Sequence, residues 1–244
     1  MPCFSEGIFM NSFTRFAGVI AALGLAQLAS ATPTLQLYQS GYSNGQGGEF
    51  TVIAPSLGVP AGYSPSATLT IGSTLGFQTF CVQAGQDDVY FTPGNTYTFG
   101  ISNQILGGSM DPRTLNSSVA YLYSQFAQGT LAGYDYTNAS GNRNADAGIL
   151  QNEIWYLENE LPQGTTSLGS FNVLSDLALM PVSGGNFGVQ VLNLWDANGG
   201  PAQNQLVYTG GNVPDNGTTA LLIGASLLAL VLVSRGLKAR STAK

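Results

Sequence analysis

Two side chains in this 244-residue chain are placed where chemistry is conceivable, Cys81 and Gln151. Cys81 follows Phe80 in the strand-like run Phe77-Gln78-Thr79-Phe80-Cys81-Val82. Side chains alternate along a strand, so if Phe80 and Val82 face inward, Cys81 faces the other way. Gln151 opens the stretch Gln151-Asn152-Glu153-Ile154-Trp155. On a helix it shares a stripe with Ala147, Ile154, Trp155 and Glu158, at spacings of three, four and seven. A carboxamide on such an apolar stripe must find partners or cost about 1–3 kcal/mol. Gln151 is therefore either hydrogen-bonded in a core or consumed in a reaction. The chain contains no histidine, which removes Ser-His-Asp and Cys-His machinery in their usual form and most zinc, copper and non-haem iron sites.

A cysteine after an aromatic residue in a strand, followed by Gln-x-x-Ile-Trp in a helix, resembles the thioester domains of bacterial surface adhesins. Phe80-Cys81 matches the first element and Gln151 to Trp155 the second, within a span of about 77 to 160. The family's usual Thr before the Gln and Ala two residues after it are replaced here by Leu150 and Glu153. The resemblance implies that the Cys81 sulfur attacks the Gln151 side-chain carbonyl, that ammonia leaves, and that an internal thioester remains. Phe80, Glu153, Ile154 and Trp155 would surround it, and no cofactor or metal is implied. Such a bond has to be kept from water until its target arrives. Activating a thiol ordinarily takes a base or a positive neighbour, and with neither Lys nor His available a single-turnover acylation fits better than a multi-turnover thiol enzyme. The competing reading makes Cys81 a small buried hydrophobe and Gln151 a satisfied core amide.

Other groups could also carry function. Glu153, Glu158 and Glu160 could pair for glycoside hydrolysis, with Glu153 and Glu160 seven apart on one helix face, although solvated acidic residues explain them as well. Asp87, Asp88 and Asp135 offer oxygen ligands for Ca²⁺ without any EF-hand spacing. Tyr121, Tyr123, Tyr134, Tyr136, Tyr156 and Trp155 suit either a sugar-stacking platform or internal packing.

The two ends of the chain read as addresses. Arg15 precedes the uncharged run Phe16 to Leu28, and Ala29-Ser30-Ala31 supplies a small-x-small cleavage site, the pattern of a secretory signal peptide over 1–31. Met10 is an alternative start. Cys3 falls before the cleavage site, so the exported chain carries one cysteine and forms no internal disulfide. At the other end stand Val213-Pro214-Asp215-Asn216-Gly217, an uncharged run from Thr218 to Val233, and a basic cluster at Arg235, Lys238 and Arg240. Sixteen helical residues rise roughly 24 Å, enough for a short transmembrane anchor whose flanks reach the interface. The basic cluster keeps its end cytoplasmic and places the body outside. This tail over 213–244 resembles the VPDSG-type signal of the PEP-CTERM class, with Asn216 where that motif has Ser. The resemblance implies processing by a membrane-embedded exosortase after insertion in the inner membrane.

Between the addresses, residues 32–212 hold only Arg113 and Arg143 against eleven Asp and Glu, a balance of −9. Such a surface repels phosphate backbones, so nucleic acid is excluded as a partner. Alternation predicts strands over 34–42, 49–54, 77–82, 96–101, 188–195 and 204–208. Periodicity predicts helices over about 115–127, capped by Asn116 or Ser117, and 144–160, capped by Asn144. Strands at both ends and helices between them give an α+β fold, an antiparallel β-rich scaffold, sandwich or barrel-like, with an inserted helical pair. The expected function is that of a non-catalytic surface or matrix protein, contacting exopolysaccharide or a neighbouring surface protein. A secreted carboxylate-dependent polysaccharide hydrolase is the alternative.

Overall fold

The structure is a computed structural model that describes residues 32–44, 47–84, 89–161, 179 and 185–210. Everything described from Pro33 onward belongs to one compact unit. The signal segment, the sorting motif and the basic tail lie outside the described residues.

The chain runs β1 (Thr34–Asn44), β2 (Gly47–Ile53), β3 (Thr68–Ile71), β4 (Thr74–Thr79), β5 (Thr96–Ser102), β6 (Gln104–Ile105) and β7 (Arg113–Thr114). Helices α1 (Ser117–Gln128) and α2 (Arg143–Leu157) follow, then β8 (Val189–Trp195) and β9 (Pro201–Tyr208). Seven strands form one sheet in the order β3-β4-β2-β1-β5-β8-β9, and every pair in it is antiparallel. The α+β class with a helical pair set into an antiparallel scaffold is thus observed.

Both helices form where periodicity places them, with shifted ends. In α1 the Asn116 side chain caps Ser118 N–H at 2.8 Å, and Gly129 closes the helix at φ 74°, a left-handed conformation that glycine adopts without strain. In α2 the helix begins at Arg143 rather than at Asn144, and Asn142 occupies the capping position without a side-chain bond. It ends at Leu157, so Glu160 is not on the helix and does not share a face with Glu153. The hairpin of β3 and β4 has a first strand that the sequence pattern missed, a four-residue element on the sheet's edge.

Strands β2 and β8 are buried along nearly their whole length, on both faces. One face packs under the helices, with Phe80, Val82, Tyr123, Phe126, Leu150, Ile154, Val191 and Leu206 in contact. The other encloses a second core containing Leu35, Leu37, Phe77, Cys81, Tyr97, Phe99, Leu194 and Val207. Just beyond β4 the chain crosses to β9 at the far end of the sheet order. Val82 N–H donates to Asn204 C=O at 3.0 Å and Leu206 N–H to Phe80 C=O at 3.1 Å. Cys81 and Gln205 form an antiparallel bridge there, which turns the sheet back on itself.

Candidate functional site

The crossing segment Phe80 to Ala84 fixes the position of Cys81. Backbone groups of successive strand residues point to alternate sides. Phe80 and Val82 bond to β9, so the N–H and C=O of Cys81 point the other way. The β2–β4 register pairs Phe50 with Thr79, and its continuation would set Gly48 opposite Cys81. The side chain of Gln151 occupies that place instead. Its Oε1 accepts from Cys81 N–H at 3.1 Å and its Nε2 donates to Cys81 C=O at 2.7 Å. One carboxamide thus stands in for a neighbouring strand, and both buried backbone groups are satisfied.

Two more groups from the same helix and its C-terminal end continue the ladder. Trp155 Nε1 donates to Gln83 C=O at 2.9 Å, and Glu160 Oε2 accepts from Ala84 N–H at 3.0 Å. Helix α2 holds this segment with side chains at 151 and 155, and the turn that ends it adds the third at 160. Gly47, where β2 begins, makes the approach possible. A Cβ there would overlap Gln151 Cγ and sit 3.0 Å from the Trp155 ring.

The helix itself is staked at both ends by arginines. Arg143, its first residue, donates from Nε to Glu49 Oε1 at 2.8 Å and from Nη2 to Glu49 Oε2 at 2.7 Å. Its guanidinium also reaches the Tyr136 and Ser66 carbonyls and lies 4.2 Å from the centre of the Tyr42 ring. Tyr134 donates to Glu49 Oε1 at 2.6 Å, and burial, reinforced by the charge of Glu49, keeps that phenol protonated far above the usual tyrosine range. Burial alone would lower the Arg143 pKa, but the hydrogen bonds and charge of Glu49 more than reverse it. At the other end Arg113 meets Asp111 at 2.6 Å, Glu160, and Glu158 at 3.6 Å. A positive group at a helix N-terminus and carboxylates at its C-terminus both oppose the helix dipole. These charges therefore anchor the helix to the sheet rather than favour the helix itself. Arg113 and Arg143 are the two basic residues of 32–212, and both are spent this way.

Around the thiol the structure is closed to solvent. Cys81 is 1 % exposed and Gln151 is 0 % exposed. Burial pushes the Cys81 thiol up to about 12, and a hydrogen bond from Gln205 acts in the opposite direction. That bond runs from Gln205 Nε2 to Cys81 Sγ at 3.1 Å. The same Nε2 donates to Gln203 C=O at 3.1 Å. Sulfur and carbonyl both accept, which fixes this end of the amide as the nitrogen.

Of the predicted site residues, the structure brings Cys81 and Gln151 together across 70 positions of sequence. The predicted alternation holds: Phe80 lies in the core under the helices, its ring 4.9 Å from that of Phe126, while Cys81 faces the other core. The predicted stripe of Ala147, Gln151, Ile154, Trp155 and Glu158 is buried throughout. Gln205 is the residue that sequence reasoning missed. The expectation that Glu153, Glu158 and Glu160 are solvated is corrected: all three are buried, because α2 and the turn after it lie against the sheet and Arg113. Burial raises the Glu158 pKa, opposed by the Asn116 N–H bond and Arg113. Asp135, the described member of the proposed Ca²⁺ set, instead ties its own loop, accepting from the N–H groups of Ala139, Ser140 and Asn142. Tyr123 and Tyr134 are internal, and Tyr156 is half exposed.

Asp87, Asp88, Val213, Pro214, Asp215, Asn216, Gly217, Arg235, Lys238 and Arg240 lie outside the described residues. Among the described residues no helix is long and apolar enough to cross a membrane, and no group of three or more Cys, Asp or Glu is placed to hold a metal ion. Comparison with protein-family models, with curated proteins and with solved structures finds no match to this chain.

Proposed function

We propose that this chain is an exported bacterial surface or matrix protein in which Cys81 and Gln151 form an internal thioester for one-time covalent attachment. The observation that carries this reading is the seating of the Gln151 carboxamide on the Cys81 main chain, in a buried site closed to water. In the bond-forming step Sγ attacks the Gln151 side-chain carbon and the C–Nε2 bond breaks. The thiol proton goes to the departing nitrogen, which leaves as ammonia, so no oxidant or cofactor enters. A primary amine on a partner surface would then attack the thioester carbon. It would form an amide with Gln151 and return a proton to Cys81, each site firing once.

The burial of the pair supports this use, since a thioester lasts only where water is kept away. The hold of three side chains on one backbone segment supports it too, because it fixes the Gln151 carboxamide against the Cys81 residue. We take the closed curl of the sheet as barrel-like, with the thiol inside it and Gln151 at its rim. Export by the signal over 1–31 and sorting by an exosortase acting near Val213 to Gly217, with the basic cluster holding the tail in the inner membrane, would put this site at the cell surface. Exopolysaccharide-bound amines or a neighbouring surface protein are the partners this chemistry fits. Methylamine serves as the test. The exported domain should take up one methylamine at Gln151, stable to denaturation, and release one Cys81 thiol. Repeated turnover of a polysaccharide dependent on Glu153 or Glu158, with no adduct, would replace the reading with a hydrolase.

A further inference from the structure

Gln151 meets Cys81 through two bonds to the main chain of that one residue, Oε1 with the N–H at 3.1 Å and Nε2 with the C=O at 2.7 Å. The bonds to β9 run through Phe80 and Val82, which leaves these two groups of Cys81 to Gln151. Oε1 and Nε2 are also the two atoms that change charge when the carbon between them is attacked. The oxygen becomes an oxyanion, and the nitrogen, once protonated, becomes cationic. The donor of Cys81 thus faces the atom that turns negative, and its acceptor faces the atom that turns positive.

We propose that the Cys81 main chain binds both poles of the tetrahedral intermediate, N–H to the oxyanion and C=O to the cationic nitrogen, and so selects primary over secondary amines. This rests on the thioester reading above. In formation Sγ bonds to the Gln151 side-chain carbon, the thiol proton goes to Nε2, and ammonia leaves as the carbonyl re-forms. In opening, a primary amine attacks the same carbon and takes the place that Nε2 vacated, since both directions cross the same kind of intermediate. Its nitrogen then carries two hydrogens. One donates to Cys81 C=O, and the other passes to Sγ as the C–S bond breaks. Donors and acceptors set in place beforehand need no rearrangement when charge develops, which is what makes such groups effective. Both bonds become charge-assisted at that moment, roughly twice as strong as neutral ones. A secondary amine brings a nitrogen with a single hydrogen, which cannot serve the carbonyl and the sulfur together.

The experiment compares ethylamine with dimethylamine, which share heavy-atom count and nearly the same basicity. Each is mixed with exported protein that has lost ammonia, and release of the Cys81 thiol is timed. The same amines acting on a small S-acyl N-acetylcysteine give the reference. The ratio of ethylamine to dimethylamine rates should be about tenfold higher on the protein than on the small thioester, since one charge-assisted hydrogen bond is worth about that factor. Equal ratios would overturn the proposal. Isopropylamine, a bulkier primary amine, controls for size. It should follow ethylamine, and if it fails as dimethylamine does, size accounts for the selection and the proposal falls. The oxygen side is read by infrared spectroscopy of the intact thioester, isotope-labelled at Gln151 Cδ. Its carbonyl stretch should lie below that of the small thioester in an apolar solvent, the mark of a hydrogen bond to the oxygen, and an equal frequency would overturn the role given to Cys81 N–H. A wild-type protein that has lost no ammonia and shows a free thiol would instead remove the thioester reading, and this proposal with it.

Discussion

Arg143 and Glu49 form a doubly hydrogen-bonded pair, at 2.8 and 2.7 Å, across 94 positions of sequence, fixing the first residue of α2 to β2. Glu49 is 0 % exposed, so neither charge can be left alone cheaply. Arg143→Met is expected to destabilise the domain by about 3–5 kcal/mol, because it strands a buried carboxylate. The double variant Arg143→Met/Glu49→Leu should recover much of that loss, since replacing a buried pair with apolar groups is often nearly neutral. Urea denaturation of the three proteins measures both.

At Gly47 the side chains of α2 press against the sheet. Gly47→Ala would drive a methyl group into Gln151 Cγ and against Trp155, 3.0 Å away. Overpacking of this kind costs about 1–3 kcal/mol. Because the displaced side chain is Gln151, the fraction of molecules that have lost ammonia should fall in the same variant, as read by intact mass.

In a Cys81→Ala background, where the carboxamide stays intact, Gln151→Glu keeps an oxygen for the residue-81 N–H but sets a second oxygen against its C=O. Unless the new carboxyl carries a proton, the 2.7 Å donor bond is lost. A loss of about 1–3 kcal/mol is expected, greater at pH 8 than at pH 5, since the protonated acid can donate where the carboxylate cannot. Thermal melts at the two pH values check the sign.

Where Gln151 is replaced and no thioester can form, the free Cys81 thiol gives a pH prediction that needs no substrate. Its pKa is raised from 9.0 to about 12 by burial, so the folded state favours the protonated form. That contribution to stability is complete below pH 9. It is lost as the pH rises from 9 towards 12, because the unfolded chain gives up its proton first. In a Gln151→Ala variant, whose thiol is free, alkylation by iodoacetamide should stay slow through pH 9 while the native fold persists. Fast labelling at pH 8 would show that the thiol is open to solvent.

Much of this site can be read in the sequence where local periodicity governs. The alternation of Phe80, Cys81 and Val82 predicts that the thiol faces the side opposite its neighbours, and the three-four spacing predicts the stripe that carries Gln151 and Trp155. Asn116 announces the start of α1 by its own capping chemistry. What resists reading depends on partners far away in the chain. Glu158 and Glu160 look like solvent-facing charges until Arg113, more than forty residues earlier, is folded against them. Gln205 looks like the polar face of a half-exposed strand. It is buried because the sheet curls until β9 meets the continuation of β4, and only then does its amide reach the sulfur.

The central claim is the covalent link between Cys81 and Gln151, and intact mass with thiol titration under denaturing, non-reducing conditions tests it most directly. The account predicts a protein one ammonia lighter than its sequence with no titratable thiol, and a Cys81→Ala variant at full calculated mass. A wild-type protein of unmodified mass with one titratable thiol would contradict it.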